Sequence, residues 1–296
     1  MLRFARTLSS VLMFIPSVAV AQSAALDRAS LLAADRRVAE ASFKTSLAQA
    51  LNDAVAANAL YLYPGAPVIE GVAAIRSLLA AQPLLDSLIV QWSPFDGSVA
   101  RDHSLGVTYG ALAVTSRRGA FPGARLGRYI AVWRPVEGAW RLAAMVQIGL
   151  APPNRVVLRA EFGPVERGAL APSGSARDFI KADLDFAALA RKSGAGVAFR
   201  TWAAPDAVTL PGTGELTRGP EAIGQAFAGD ANDWIWVPVA AGAAGSGDLG
   251  FTIGQAVIRP RSGEDPAYTK YLTIWRRLPN GQVRFLTDGG TARPKP

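Results

Sequence analysis

The sequence contains no cysteine and a single histidine, His103, among its 296 residues. The lack of cysteine excludes disulfide bonds, thiolate metal sites, thiol catalysis and the lipidated cysteine of a lipoprotein. With one histidine and no clustered acidic loop, a transition-metal site would have to be built from scattered carboxylates, so we expect no metal and no other cofactor. His103 stands in an Arg-Asp-His-Ser turn and is expected to be a solvated loop residue rather than a catalyst.

The chain also lacks a late hydrophobic run of membrane-spanning length. Its apolar N-terminal stretch, residues 8–20, is short and is interrupted by serine and proline. Two arginines precede this stretch, and Ala19-Val20-Ala21 has the small-x-small pattern of a cleavage site, so residues 1–21 are interpreted as a signal peptide. The sequence predicts a periplasmic or secreted protein that begins near Gln22 and has no membrane attachment after cleavage.

A concentrated basic surface is missing as well. The formal net charge is +8, or +6 once the two leader arginines are removed, and 31 basic residues are scattered among 23 acidic ones. A nucleic-acid-binding protein concentrates lysine and arginine on one stripe with aromatic residues between them. Since the sequence has no such stripe, we do not expect nucleic acid as a partner.

What the sequence does contain is a long-period duplication. A Tyr-x-x-x-Trp-Arg segment at 129–134 recurs at 271–276, and motifs upstream of it recur in the same order. The further matched pairs are 104–110 with 248–254, and 71–75 with 219–223. This pattern indicates two copies of one domain rather than a solenoid of short repeats.

The duplication sets the predicted domain boundaries. Residues 26–152 form the first copy, 153–175 a linker rich in proline, glycine and alanine, and 176–292 the second copy. Residues 156–158 could add an edge strand within the linker. At roughly 120 residues, each copy has the usual size of a domain that folds on an apolar core alone.

The periodicity of the first copy predicts helices followed by a sheet. Helical spacing over 31–51 favours two helices or one bent helix, and the short strand 60–63 ends at Pro64-Gly65. A third helix and four β-rich runs complete the pattern: 72–81, then 88–95, 104–116, 128–135 and 140–148. The second copy repeats this order from a helix at 178–190. Helices before an antiparallel meander indicate an α+β fold.

These ordered motifs resemble the nuclear transport factor 2-like superfamily, and within it the SnoaL-like and "domain of unknown function 4440" groups. The resemblance covers almost all of both copies and depends on the Pro-Gly after the short strand, the Gly-x-x-x-Ile before the third helix and the Tyr-x-x-x-Trp-Arg strand. It implies tandem cone-shaped domains, each with three helices packed in a curved antiparallel sheet around an apolar pocket. It implies no single reaction, because this fold hosts isomerases, dehydratases, cyclases and binding proteins.

Two specific chemistries are disfavoured by the residues themselves. Ketosteroid isomerases of this superfamily place a general-base aspartate before the proline that ends the short strand, and the sequence has Tyr63 and Leu210 there. The segment 245–250 matches the G-x-G-x-x-G pattern of dinucleotide sites, but a strand rather than a helix follows it. A hairpin connection is the better interpretation.

The candidate site residues are two helix acids and a set of aromatic and polar side chains. Asp35 and Asp183 hold similar places on the first helices, where an acid usually faces water or a salt bridge and would otherwise be a polar handle at a pocket mouth. Most individual rings should be core, but apolar pockets are lined by such side chains. The candidate lining residues are Tyr61, Tyr63, Trp92, Tyr109, Trp202, Trp236 and Thr252.

Three functional hypotheses follow. The leading one is a protein that binds a small apolar molecule; the others are a cofactor-free lyase, isomerase or cyclase, and a structural module that binds a partner. Both faces of the 129–134 and 271–276 strands are apolar, which predicts that the two copies cover each other's outer sheet faces. The chain is then expected to be a monomer that contains an intramolecular pseudo-dimer.

Overall fold

A computed structural model of the chain describes residues 17–82, 88–117, 123–149, 174–211 and 215–296. Most of the predicted signal peptide lies outside these residues. The same is true of nearly all of the predicted linker, including the optional strand at 156–158.

In its described part, the first copy consists of three helices and six strands. The helices are α1 (Ser17–Lys44), α2 (Leu47–Ala54) and α3 (Val72–Ala80). The strands are β1 (Val55–Leu62), β2 (Ile69–Glu70), β3 (Leu88–Val99), β4 (Gly106–Ser116), β5 (Ala124–Val136) and β6 (Ala139–Ile148). The Ser46 side chain accepts a hydrogen bond from the Gln49 amide and caps α2, so the helical region divides in two.

The second copy repeats the same order of elements. Its helices are α4 (Gly174–Ser193), α5 (Ala195–Trp202) and α6 (Pro220–Ala226). Its strands are β7 (Ala203–Thr209), β8 (Thr217–Arg218), β9 (Asn232–Ala243), β10 (Leu249–Pro260), β11 (Ala267–Arg277) and β12 (Val283–Ala292). The α+β class and the duplicated architecture predicted from the sequence are confirmed.

Each copy has one six-stranded sheet, in the order β2-β1-β6-β5-β4-β3 and β8-β7-β12-β11-β10-β9. The last four strands of each copy form the predicted antiparallel meander. The sheets are mixed rather than wholly antiparallel, because β1 and β7 pair in parallel with β6 and β12. In each copy, the strand that leaves the second helix therefore runs in the same direction as the final strand beside it.

Alternation along the strands gives each sheet two apolar faces. On β5, Tyr129, Ala131 and Trp133 lie in the helix-covered core of the first copy, while Ile130 and Val132 lie on the outer face. Strand β11 repeats this division. Its tyrosine and tryptophan lie in the helix-covered core of the second copy, and its leucine and isoleucine face outward.

The outer faces of the two sheets share one apolar core. Ile130, Val132 and Val146 of the first copy belong to the same buried cluster as Leu272 and Ile274 of the second. Burial of both outer faces against each other explains why these strands are apolar on both sides.

Polar contacts also join the two copies. The buried Lys270 ammonium donates hydrogen bonds to the carbonyl oxygens of Tyr63, at 2.7 Å, and Ala66. At the tip of the β9–β10 hairpin, the amide of Gly245 donates to Ser104 Oγ at 2.9 Å. The G-x-G-x-x-G match therefore lies in a hairpin turn, as interpreted. In the facing turn, His103 is half-exposed and pairs with Asp27.

Candidate functional site

A buried aspartate lies at the centre of the second core. Asp183, on α4, has no exposed surface and accepts hydrogen bonds from Trp236 Nε1 at 2.9 Å and from the Tyr271 hydroxyl at 3.1 Å. Burial raises its pKa to about 6, and hydrogen bonds from Thr252, Trp236 and Tyr271 oppose that rise. Asp183 therefore ties its helix to strands β9 and β11.

The first copy repeats this arrangement. Asp35 on α1 is equally buried and accepts hydrogen bonds of 2.6 Å from both Trp92 Nε1 and the Tyr129 hydroxyl. Burial raises its pKa, while hydrogen bonds from Thr108, Tyr129 and Trp92 lower it. The expectation that these helix acids face water was wrong, because indole and phenol donors inside each core satisfy the carboxyl oxygens.

A cavity of about 420 Å³ lies beside this network in the second copy. Aromatic rings form much of its wall: Phe186, Phe199, Phe227, Trp234, Trp236 and Tyr271. Its polar groups come from four threonines and one acid: Thr209, Thr217, Thr269, Thr273 and Asp288. Ile148 of the first copy also lines it. Neither Asp183 nor Thr252 is among the residues that line the cavity.

Asp288, on β12, is the one carboxylate that lines the cavity among the described residues. The Thr273 hydroxyl donates a hydrogen bond of 2.5 Å to its Oδ2. Burial raises the pKa of Asp288 to about 7; the Thr273 bond lowers it, and the nearby Asp183 raises it further. A carboxyl group of this kind exists in both protonation states near neutral pH, so it can donate or accept a proton.

The pairing of strands shows which residues of the two copies correspond. Ala131 and Thr273 each stand two residues after the matched tyrosine of their strand. Ala131 pairs with Met145, and Thr273 pairs with Asp288. Asp288 therefore corresponds to Met145. The acid is present in the second copy alone at this position.

The neighbouring parallel strands extend the correspondence. Tyr61 on β1 pairs with Met145, and Thr209 on β7 pairs with Asp288. Thr209 therefore corresponds to Tyr61, and a small side chain in the second copy replaces a large ring in the first.

This register corrects the sequence comparison of the short strands. Leu62 and Leu210 both lie in the core shared by the two sheets, so they correspond, and Tyr63 then corresponds to Pro211. The sequence comparison matched the two prolines and so aligned Tyr63 with Leu210, which is one residue out of register. The register of a strand is fixed by the alternation of its two faces rather than by the turn that follows it. Neither position carries a carboxylate.

Large side chains fill the corresponding space in the first copy. The Gln147 amide donates a hydrogen bond of 2.9 Å to the Tyr61 hydroxyl, and both side chains are buried. In the second copy, Thr209 and Gly290 stand at these positions, and both line the cavity. These two smaller residues leave open the space that the Tyr61 and Gln147 side chains occupy in the first copy.

Comparisons with known proteins found similar solved structures. No family model and no curated protein matches the chain. A nuclear transport factor 2-like protein from Novosphingobium aromaticivorans is 16% identical, with a TM-score of 0.34 over 39% of this chain and 80% of its own. A ketosteroid isomerase-like protein from Erwinia carotovora atroseptica is 13% identical, with a TM-score of 0.34 and coverages of 39% and 93%.

A third similar structure is a Mycobacterium tuberculosis protein in complex with estradiol-17β-hemisuccinate. It is 16% identical, with a TM-score of 0.31 over 37% of this chain and 89% of its own. Within this chain, three helices cover one face of a six-stranded sheet, in which two further strands lie beside a four-stranded meander, and the arrangement occurs twice. The arrangement matches the fold that the resemblance to the nuclear transport factor 2-like superfamily implies for each copy.

The predicted site residues are distributed over both copies. Trp236 lines the cavity, whereas Thr252 is buried behind it and accepts a hydrogen bond of 2.8 Å from Trp275 Nε1. Trp202 packs against Trp275 with ring centroids 6.0 Å apart and does not line the cavity.

The predicted residues of the first copy lie elsewhere. Tyr61, Tyr63 and Trp92 belong to its helix-covered core. Tyr109 packs against the core between the sheets, so its assignment to the inner pocket was wrong: its position on β4 places it on the outer face.

Asp288, Thr273 and Thr209 were not predicted as site residues. The sequence contains a signal for Asp288, since this acid stands within the apolar strand that includes Phe285.

In the part of the chain that the structure describes, no group of three or more histidine or acidic side chains could hold a metal ion. No helix among those residues is long and apolar enough to cross a membrane.

Proposed function

We propose that the second nuclear transport factor 2-like copy binds a small, largely apolar molecule in the cavity beside Asp288, and that the first copy has a structural role. The observation that carries this proposal is that Thr209 and Gly290 line a cavity at the positions where the first copy has the buried side chains of Tyr61 and Gln147.

The size and lining of the cavity support a ligand site. Its volume of about 420 Å³ lies within the range of small-molecule sites. Such sites combine apolar and aromatic walls with a few polar groups that orient the ligand. Here the rings of Phe186, Trp234 and Trp236 supply the walls, and Asp288 and Thr273 supply a polar end.

Native mass spectrometry of the protein isolated from its source tests for a retained ligand. A fluorescence titration with 2-(2-naphthyl)ethanol, a neutral fused-ring alcohol, tests the site directly, because Trp234 and Trp236 line it. Saturable quenching with one site per chain is expected. Absence of a retained ligand together with a strictly linear response to the probe would overturn the proposal.

A catalytic role is the second candidate, and Asp288 favours it. A carboxyl group with a pKa near 7 in an apolar cavity suits proton transfer without a cofactor, as a lyase, isomerase or cyclase requires. Conversion of a bound compound that stops in Asp288→Asn while binding persists would support catalysis. Unchanged conversion in that variant would exclude Asp288 as the acid or base.

We also propose that the protein is exported. The support is the N-terminal pattern of two arginines, an apolar stretch and the Ala19-Val20-Ala21 motif. Intact-mass measurement on protein from the cell envelope or medium should give a chain that begins at or near Gln22. Full-length protein recovered from the cytoplasm would contradict export.

A further inference from the structure

The charge of the cavity wall restricts the charge that a ligand can carry. Asp288 is an acid, and among the described residues no lysine, arginine or histidine lines the cavity. The carboxyl group therefore has a hydroxyl partner, Thr273, but no cationic partner in the wall. A carboxylate in apolar surroundings is unfavourable unless a cation or strong donors pair with it.

The rings around the acid suit a cation as well. Phe186, Phe199, Phe227, Trp234 and Trp236 line the same cavity. The faces of aromatic rings attract positive charge, and cages of such rings are a known means of binding ammonium groups. An anionic ligand would meet the acid and would find no cationic partner in the described wall.

We infer that the ligand of this cavity carries a positively charged amine, which pairs with the Asp288 carboxylate while its apolar part contacts the aromatic wall. This inference rests on the proposed function. It adds the chemical class of the ligand: a hydrophobic amine rather than a neutral or acidic compound.

Few other charged or titratable groups act on Asp288. Asp183 on α4 lies close enough to influence it, and Tyr271 on β11 is bonded to Asp183. Several charged side chains on the elements packed against β12 contact other groups, as in Lys270 with Tyr63 and Ala66, Asp206 with Arg276, Lys181 with Asp185, and Asp178 with Arg277. An amine in the cavity would therefore find its counter-ion in Asp288.

Three probes of one shape test the inference: 2-(2-naphthyl)ethylamine, 2-(2-naphthyl)ethanol and 2-naphthylacetate, which are cationic, neutral and anionic. Each is titrated by calorimetry into the full protein and into Asp288→Asn at about pH 5 and about pH 8. Asp185→Asn, a change to an exposed acid on α4, is the matched control. Circular dichroism establishes that each variant is folded.

At the higher pH the amine should bind the unmodified protein and the control roughly tenfold or more tightly than the alcohol. The preference should fall to within about twofold in Asp288→Asn, and in the unmodified protein it should shrink at the lower pH, where the carboxyl is protonated. The pH dependence keeps the test valid if the variant does not fold.

The failure of this inference is distinguishable from failure of the proposed function. Binding of the alcohol without a preference for the amine overturns the inference and leaves the cavity as a ligand site. Affinity for the alcohol that weakens as pH rises would indicate a neutral hydrogen-bond acceptor as the ligand, and would also overturn it. Failure of all three probes to bind would count against both proposals.

Discussion

Asp288 of the second copy occupies the strand position that Met145 occupies in the first. Met145 is 1% exposed and packs in the core of its copy, whereas Asp288 meets a cavity. The two copies therefore have the same fold, and each contains the same type of buried hydrogen-bond network, but they differ where the final strand faces the helices. This difference separates a supporting copy from the copy that we propose binds a ligand.

The stability of the protein should depend on pH through Asp288. Its pKa is raised from about 3.9 in the unfolded chain to about 7 in the fold, so between these values the folded state binds the proton more tightly. This contribution to stability is fully present at about pH 4 and is lost as pH rises through 7. Between about pH 4.5 and pH 8, the free energy of unfolding should therefore fall by an amount on the order of 1–3 kcal/mol, and Asp288→Asn should remove this fall.

Urea unfolding at several pH values measures this effect. Asp183, with its pKa raised to about 6, adds a change in the same direction that persists in Asp288→Asn. The exposed Asp185→Asn should keep the full pH dependence of the unmodified protein. Identical dependence of the free energy of unfolding on pH in all three proteins would contradict a raised pKa at Asp288.

Removal of either helix acid should destabilise its copy. Asp183→Ala leaves Trp236 Nε1 and the Tyr271 hydroxyl buried without their acceptor, and Asp35→Ala does the same to Trp92 and Tyr129. We expect a loss of about 2–4 kcal/mol in the free energy of unfolding for each variant.

The control for these two variants is Asp185→Ala, which changes an exposed ion pair with Lys181 on the same helix as Asp183. It should stay within about 0.5 kcal/mol of the unmodified protein. Equal stabilities of Asp183→Ala and Asp185→Ala in chemical denaturation would show that the buried network contributes little.

The sequence allowed the duplicated architecture to be predicted because its main signals are periodic. Apolar residues on both faces of 129–134 and 271–276 indicated that both faces of each sheet are covered, and the glycine and proline residues between the strands marked their ends. The parallel pairing of β1 with β6 was not predicted, since local periodicity does not contain the direction of a distant partner.

The candidate site was harder to predict from one sequence. A helix acid such as Asp183 has the same local pattern whether it faces water or a Trp and Tyr pair brought from remote strands. The cavity lies where Thr209 and Gly290 are smaller than the corresponding residues of the first copy. This difference in size can be recognised only when the strands of the two copies are aligned in the correct register. Trp236 was the one predicted lining residue that reaches it.

Disruption of the core between the sheets should separate or unfold the copies. Leu272 is fully buried there, so Leu272→Asp places a charge in apolar surroundings without a partner. The unmodified chain should scatter as a compact monomer in small-angle X-ray scattering, whereas Leu272→Asp should be expanded or unfolded.

Val237→Asp is the matched control, because Val237 is half-exposed on strand β9 at the sheet edge. It should leave the scattering curve unchanged. A scattering profile of two separated lobes for the unmodified protein would contradict the packing of the copies through their sheets.

The most direct test of the ligand-binding copy refills its cavity with the ring that the first copy uses. Calorimetric titration of 2-(2-naphthyl)ethanol into Thr209→Tyr, with the isosteric Thr209→Val as control, measures the effect on binding. We expect one site per chain in the unmodified protein and in the control, and at least about a tenfold loss of affinity in Thr209→Tyr, because the new ring occupies the space beside Asp288. Unchanged affinity and stoichiometry in a folded Thr209→Tyr would contradict it.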